Sequence, residues 1–496
     1  DADTVGVFQI ESRAQMQMLP RMKPEDIDDL TIQVALIRPG PIQGGAVHPF
    51  VERRRKLRED PEYEVPFAHD LLRPVLGETH GVIIFQEQVI EVAMQVAGYS
   101  SSEAESLRRA KSRKRSRRSL EAHHQRFIEG ALENGVPREI AESIFDQIIG
   151  FSGFGFPKAH SAAFGLLAYQ SSWLKHYYAP EYLASLLNEQ PMGFYPPDSL
   201  VQEAKRTGVE VLPPDINHSR GECVTEWPPG SLPHGPASPD ESPAGPPRQP
   251  AVRIGLGYVK GVKAEEMERL VAERDRGGRF RDLGDLSSRL PLGRSDLEQL
   301  AWAGALRSLP RGDRVAGLWS VGLTPDRRAA ADGLQLAIPF EPPDAPELEE
   351  PAEWARVQAE YSSIGMTLEG HPMALARRQI PESVLPTTEA ASRPDRTWVE
   401  VAGIQVARQR PETAHGVIFI LIEDEHGTLN LVLPPRVARN HRHVIRTATL
   451  IRASGRIETN QGVVNLLVRG LSEIHPPDPR IKSVAPVGFN FGRRGR

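Results

Sequence analysis

Two periods divide the chain. Up to about residue 215, apolar positions recur at helical spacing and are interrupted by Gly-Pro turns; from Thr397 to Ile474 they alternate with polar ones. "WVEVAGIQVARQR", "GVIFILIEDEHGTLNLVLP", "ATLIRASGRIET" and "GVVNLLVRGLSEI" read as strands separated by Gly, Asp and Asn turns. Four to five strands in so short a span predict a small Greek-key barrel of the OB type. Between these regions, 251–308 reads as short and helical. The stretch 228–250 holds nine prolines and almost nothing apolar, so it predicts an exposed linker. A second connector rich in Pro, Asp and Glu covers 323–350, and the tail 476–496 is basic. The predicted fold class is multidomain α+β: a mainly helical region, a helix-hairpin-helix domain and a C-terminal OB-type β-barrel.

Composition adds boundaries to that picture. A length of 496 residues suggests roughly three or four domains. The 39% hydrophobic and 25% charged content is that of a globular protein, with no apolar run long enough for a membrane span. There is no signal-peptide pattern and a single cysteine, Cys223, which excludes a disulfide framework within the chain and reads as an inert loop thiol in a cytosolic protein. The chain opens at Asp1 without an initiator Met, as though cut from something longer.

Charge singles out one segment. In Leu107–Arg118, "LRRAKSRKRSRR", eight of twelve residues are Lys or Arg, although the chain's formal net charge is −5. The preceding "SSSEAES" supplies a Ser cap and first-turn acids, so Arg108 and Arg109 are predicted inside a helix. Lys111, Arg113, Lys114 and Arg115 follow in a more solvated, Ser-interleaved run. A charged face kept in water is one reading. The other is a polyanionic partner that relieves the self-repulsion, and without interleaved aromatics that partner is met through phosphates.

Two further segments carry similar chemistry. "ALIRPGPIQGG" sets Arg38 before a rigid Pro-Gly-Pro turn at a helix end. In "GFSGFGFPKAHSAAFGLLAYQSSWLKHYY", Gly150, Gly153 and Gly155 permit close approach to a ligand, and Lys158 and His160 stand at the mouth of a largely apolar helix. A helix N-terminus with Lys, His and Ser suits a phosphate or nucleotide. The same residues also read as core phenylalanines, Phe154, Phe156 and Phe164, with His160 as a capping residue. In "LGYVKGVKAEEM", Gly261 frees hairpin N–H groups for a DNA phosphate while Lys260 and Lys263 add charge, or the segment is a plain helix-turn-helix connector. A weaker second copy surrounds "LPLGRSDLEQLAWAGAL".

"GVFQIESRAQMQMLPRMKPEDIDDLTIQVALIRPGPIQGG", "GVIIFQEQVIEVAMQVAGYS", "FGFPKAHSAAFGLLAYQSSWLKHYYAPEYLASLL" and "VEVLPPDINHS" together resemble the C-family bacterial DNA polymerases, the DNA polymerase III alpha subunits. "FQIESRAQM" and "NEQPMGFYPPDSLV" are most similar to the error-prone, ImuC-type branch. The resemblance runs in order over nearly the whole chain. It implies a fingers-like domain over 1–215, a loop with the Pro-rich linker over 216–250, tandem helix-hairpin-helix motifs over 251–322, a connector over 323–396, an OB domain over 397–475 and the tail over 476–496. It further implies that Arg38, Arg108, Arg109, Lys158 and His160 face an incoming deoxynucleoside triphosphate, with His160 near the sugar.

The resemblance also implies a departure. Nucleotidyl transfer in this family uses Mg2+ ions held by palm aspartates that precede the "VFQIESR" motif, and the palm is expected to be absent from this chain, leaving it inactive alone. Asp26, Asp28 and Asp29 read as an ordinary helix first turn; Glu423, Asp424 and Glu425 read as a barrel turn. Primer-template DNA and dNTP are the implied partners, with a damage-induced translesion role beside ImuA- and ImuB-like accessory proteins. "QLAIPF" resembles a sliding-clamp-binding peptide, through Gln335, Leu336, Ile338 and Phe340, a pattern short enough to arise by chance. A non-enzymatic DNA-binding module is the alternative reading of the same features.

Overall fold

The computed structural model describes residues 2–38, 41, 45–110, 117–151, 156–193, 195–227, 249–323, 348, 351–410, 414, 416–460 and 462–475. Lys111, Arg113, Lys114, Arg115, most of the Pro-rich linker, the clamp-peptide candidates Gln335, Leu336, Ile338 and Phe340, and the tail lie outside the described residues. The chain divides into two compact units: Asp1–Trp173 with Gln461–Val463, and Leu174–Asn460 with Val464–Arg496.

The first unit is helical. It contains α1 (Arg13–Met22), α2 (Ile27–Leu36), α3 (Val47–Glu59), α4 (Arg73–Leu76), α5 (Gln86–Ala97), α6 (Ser101–Ala110), α7 (Arg117–Glu133), α8 (Arg138–Phe151) and most of α9 (Lys158–Tyr177). Helix starts follow local chemistry. The Asp26 carboxylate accepts from the Asp29 N–H at 2.8 Å to open α2. Ser100 and Glu103 cap α6 reciprocally: Glu103 N–H donates to Ser100 Oγ at 3.3 Å, and Ser100 N–H to Glu103 Oε2 at 2.7 Å. Helices α5 to α8 close over one core, where Val92, Leu107, Phe127 and Ile148 are wholly buried. Phe127 alone contributes roughly 1.5–3 kcal/mol by leaving water. A neighbouring core of Met22, Leu36, Phe50, Ile84 and Phe85 joins α1, α2 and α3 to the strand-like entry of α5.

The second unit opens with α10 (Ala179–Asn188) and α11 (Pro197–Arg206), then a small sheet. In that sheet β3 (Ala251–Arg253) lies between β1 (Val211–Leu212), parallel to it, and β2 (Val224–Glu226), antiparallel. Helices α12 (Ala264–Gly277), α13 (Leu283–Arg289), α14 (Arg294–Trp302) and α15 (Arg314–Leu323) form the hairpin region; α16 (Glu353–Ser363) and α17 (Pro372–Arg377) follow. A buried polar network fastens them. Glu360 accepts from Arg314 Nη2 at 3.0 Å and from Thr367 Oγ1 at 2.8 Å, and Asp198 accepts from Tyr361 Oη at 2.5 Å and from the Thr367 N–H at 3.0 Å. His371 caps α17, its Nδ1 accepting from the Met373 N–H at 3.1 Å, and burial pushes this imidazole down to about 3.

After β4 (Val384–Leu385) and α18 (Thr387–Ala391) comes the barrel, made of β5 (Trp398–Gln409), β6 (Ile418–Glu423), β7 (Thr428–Leu433), β8 (Leu450–Asn460) and β9 (Val463–Glu473). Strand order is β5-β6-β7-β9-β8, and β8 pairs back onto β5, so the sheet closes. The β7–β9 pair is parallel, and two short helices, α19 (Pro435–Asn440) and α20 (Arg442–Thr447), carry the crossing from β7 to β8. Five strands in this order are consistent with the OB-type barrel predicted from alternation. Val401, Ile420, Ile422, Leu431, Leu433 and Ile451 point inward and are fully buried.

Candidate nucleotide and nucleic-acid sites

In the first unit a single backbone bridge gathers the candidate cations. Phe85, just before α5, forms a parallel bridge with Phe156, just before α9, and the Gln86 N–H donates to the Phe156 carbonyl at 3.1 Å. Helix α9 is held down on α2: Ser161 Oγ donates to the Thr31 carbonyl at 2.5 Å, and at Gly165 a Cβ would sit only 3.1 Å from the Thr31 amide nitrogen. With Ser161 and Gly165 buried, Lys158 and His160 are exposed at the mouth of the helix.

Each cation then takes a definite place. The Arg38 guanidinium lies over the Phe156 ring, 4.4 Å from its centroid, and burial lowers its pKa from the ordinary arginine value. His160 stands beside the same ring at 5.0 Å and meets Phe164 edge-on at 4.3 Å. Lys158 donates its backbone N–H to Glu87 Oε2 at 3.0 Å, and its ammonium reaches Glu78 Oε2 at 2.5 Å. Arg108 grips Glu105 with Nε at 2.7 Å and Nη2 at 2.8 Å, while Nη1 points to Gln86 Oε1 at 3.3 Å. Arg109 donates to Glu105 Oε1 at 2.6 Å and is otherwise largely exposed. Four of these residues therefore lie around one bridge, Arg38 and His160 on Phe156, Lys158 near Phe85 and Arg108 on Gln86, while Arg109 is joined to them only through Glu105.

Acids balance the cations. The Arg108 side chain, then Arg109, holds the Glu105 carboxyl down at about 2. Burial, with the neighbouring Glu78 charge, raises the Glu91 pKa. Lys158 is thus held by Glu78, and Arg108 is oriented by Glu105 and Gln86. The orienting pair escaped the reading of the sequence, although Glu105 stands three and four residues before the arginines it holds, which is the helical ion-pair spacing.

The two acidic groups considered for a metal do not fit one. Asp26 caps α2, and Asp29 accepts from Arg54 Nη1 at 2.6 Å and from the Glu25 N–H at 2.8 Å. Asp424 is fully buried and accepts from the Thr387 N–H at 2.8 Å, Thr387 Oγ1 at 2.7 Å, the Gly427 N–H at 3.0 Å and Arg377 Nη2 at 2.9 Å. Glu423 is taken by Arg206 Nη1 at 2.8 Å, and Glu425 by Arg377. Among the described residues no group of three or more His, Cys, Asp or Glu could hold a metal ion.

In the hairpin region of the second unit, Gly261 has φ +84°, a conformation that a Cβ would strain. Lys263 is the exposed N-cap of α12. Lys260 turns the other way: its N–H donates to the Ser363 carbonyl at 2.7 Å and its ammonium to the Tyr361 carbonyl at 2.9 Å. It fastens the hairpin to the end of α16. Cys223 is buried, accepts from the Gly255 N–H at 3.4 Å, and is pushed up to about 11 by that burial.

A helical domain with grouped cations, a hairpin region and a closed five-stranded barrel consistent with the OB type define a multidomain α+β protein. The model of the bacterial DNA polymerase III alpha subunit finger domain matches residues 1–135, and that of the helix-hairpin-helix motif matches residues 208–316. The chain belongs to this polymerase III alpha family. It is 43% identical to an error-prone DNA polymerase of Burkholderia pseudomallei (strain K96243) over 96% of its own length and 43% of that protein's. It is also 41% identical to one of Anaeromyxobacter dehalogenans (strain 2CP-1 / ATCC BAA-258) over 100% of its length and 41% of that relative's. The chain thus spans about two fifths of the curated relatives it matches. Among solved structures, the hypothetical protein ygiW from E. coli aligns with 18% of this chain at 20% identity and a TM-score of only 0.15. No helix among the described residues is long and apolar enough to cross a membrane.

Proposed function

We propose that this chain is the nucleotide- and DNA-binding portion of an error-prone DNA polymerase, the fingers of which take the triphosphate of an incoming deoxynucleotide. The observation that carries the reading is the grouping of Arg38, His160, Lys158 and Arg108 around the Phe85–Phe156 bridge, with Arg109 beside Arg108 on the shared Glu105. A triphosphate brings several negative charges and gathers more on its oxygens during transfer, and fixed cations stabilise that charge without reorganising. Arg38 is stiffened by the ring beneath it, and Arg108 by the Glu105 fork. Nucleotide entry exchanges Glu78 and Glu105 for phosphate oxygens. His160, beside Phe156, is placed to sense the sugar.

The carboxylates that would hold Mg2+ lie, on this proposal, outside these 496 residues, so the chain alone does not extend a primer. The names of the relatives support a translesion role, and the hairpins and barrel support contact with primer-template DNA. A sliding clamp and ImuA- and ImuB-like proteins are the proposed further partners, and the intact protein works in the cytoplasm.

Calorimetric titration of the chain with dATP, ATP and deoxyadenosine tests this. Saturable binding of dATP, at least 10-fold weaker in Lys158→Ala, with no binding of the nucleoside, supports the proposal. Salt-sensitive DNA binding without any nucleotide site supports the non-enzymatic module instead. His160→Ala should narrow the preference for dATP over ATP; an unchanged ratio removes that residue from sugar selection.

A further inference from the structure

From His426 to Ile457 the sequence contains no Asp or Glu. That stretch includes α19 and α20, on which Arg436, Arg439, Arg442 and Arg446 are all exposed. Each helix carries two of them, three residues apart on α19 and four apart on α20, on the side away from the barrel core. The inner side is fixed because Val437, Ala438 and Ile445 pack into the barrel core. Arg408 Nη1, donating to the Ile445 carbonyl at 2.5 Å, ties α20 to β5. Arg410 reaches the same end: its Nη2 lies 4.0 Å, and the Pro435 ring 3.7 Å, from the position of a Cβ on Gly416. None of the four arginines on the helices makes an ion pair with a described residue, whereas Arg452, further along, pairs with Glu400 at 3.1 Å.

We infer that this arginine row is a phosphate-backbone site for nucleic acid, on the crossing helices of the barrel. OB folds ordinarily grip single strands on the faces and loops of their strands. This row stands elsewhere, and it offers guanidinium forks without an indole or phenyl ring to stack a base: Trp398, exposed on the barrel, stands at the start of β5 opposite Arg456. Four like charges with no ion-pair partner among the described residues repel one another until a polyanion neutralises them, and guanidinium matches phosphate bidentately. A protein partner would call for an apolar anchor, and the exposed side chains beside the row are Asn440, His443 and Thr447. Contacts of this kind ignore base sequence.

The inference rests on the DNA-binding reading above, and the test separates the two. Binding of the full chain to a labelled oligo(dT) and to a duplex of equal length is followed by fluorescence anisotropy between 50 and 200 mM salt. The variant R436Q/R439Q/R442Q/R446Q should lose at least 10-fold in affinity for the single strand, and its slope of log K against log salt should shallow by about 2–3, at ~0.7 per phosphate contact. Its dATP titration should be unchanged, and the variant carrying Lys at all four positions should bind nearly as the wild type. If the wild type binds DNA and the Gln variant keeps its slope, the row is not the site, while the DNA-binding reading stands. If the Gln variant keeps DNA but loses binding to poly-glutamate, the site belongs to an acidic protein and the inference fails. If the wild type binds no DNA, both readings fail.

Discussion

Arg38 lies over the face of Phe156 with its guanidinium carbon 4.4 Å from the ring centroid, and Phe156 is bridged through its backbone to Phe85. A cation at the end of α2 is thereby joined to the entry of α5 and to the mouth of α9, three elements that are far apart in the chain. The ring acts as a platform that fixes where the charge can be.

Removing the platform should therefore act like removing part of the charge. Phe156→Leu is expected to weaken dATP binding several-fold, and Arg38→Ala about 10-fold or more. Arg38→Lys should recover only part, because an ammonium stacks less well on the ring. Titration calorimetry of the three variants checks the ranking, with helical circular dichroism as the control for folding.

Glu105 holds Arg108 and Arg109 in place but competes with any phosphate for them. Glu105→Gln is expected to tighten dATP binding by about two- to five-fold, whereas Arg108→Gln weakens it. Were Glu105→Gln to weaken binding instead, the carboxylate's orienting role would outweigh its competition. Calorimetric titrations with dATP at two salt concentrations decide between them.

His371 predicts an acid-labile second unit. Its folded-state pKa of about 3 lies below the ~6.5 of an unfolded histidine, so the unfolded chain binds the extra proton. Stability is then complete above pH ~6.5 and falls as the pH drops toward 3, by about 2 kcal/mol between pH 6.5 and 5. His371→Asn, which can still cap α17, should flatten the decline of Tm over that interval. An equal slope in both proteins removes His371 as the cause.

Cys223, buried and with its thiol raised to about 11, should react slowly with a thiol reagent at pH 8. The native chain is expected to release less than a tenth of an equivalent in minutes and one equivalent in denaturant. Rapid stoichiometric labelling of the native chain would show that the loop opens readily.

The barrel was legible because alternation over long strands is a dense signal: Val399, Val401 and the inward residues of β6 and β7 repeat every second position. The small sheet of the second unit was not, since strands of two or three residues carry no period, and β2 and β3 are separated by the Pro-rich linker. At the candidate site the cations themselves were visible, but their partners were only partly so. Glu105 to Arg108 and Arg109 is a local helical pairing that the sequence displays. Lys158 to Glu78, 80 residues apart, and Lys260 to the carbonyl of Tyr361, 101 residues apart, exist only once the chain folds. A lysine in a hairpin looks like a phosphate ligand until the fold turns it toward a helix end.

The central claim is that the bridge between Phe85 and Phe156 organises a triphosphate site. Photocrosslinking of the full chain with 8-azido-dATP, followed by peptide mapping, addresses it most directly. The account predicts adducts concentrated on peptides around residues 156–164 and 85–109, suppressed by excess dATP and not by deoxyadenosine. Adducts spread over both units, or labelling untouched by dATP and lost only with salt, would contradict it.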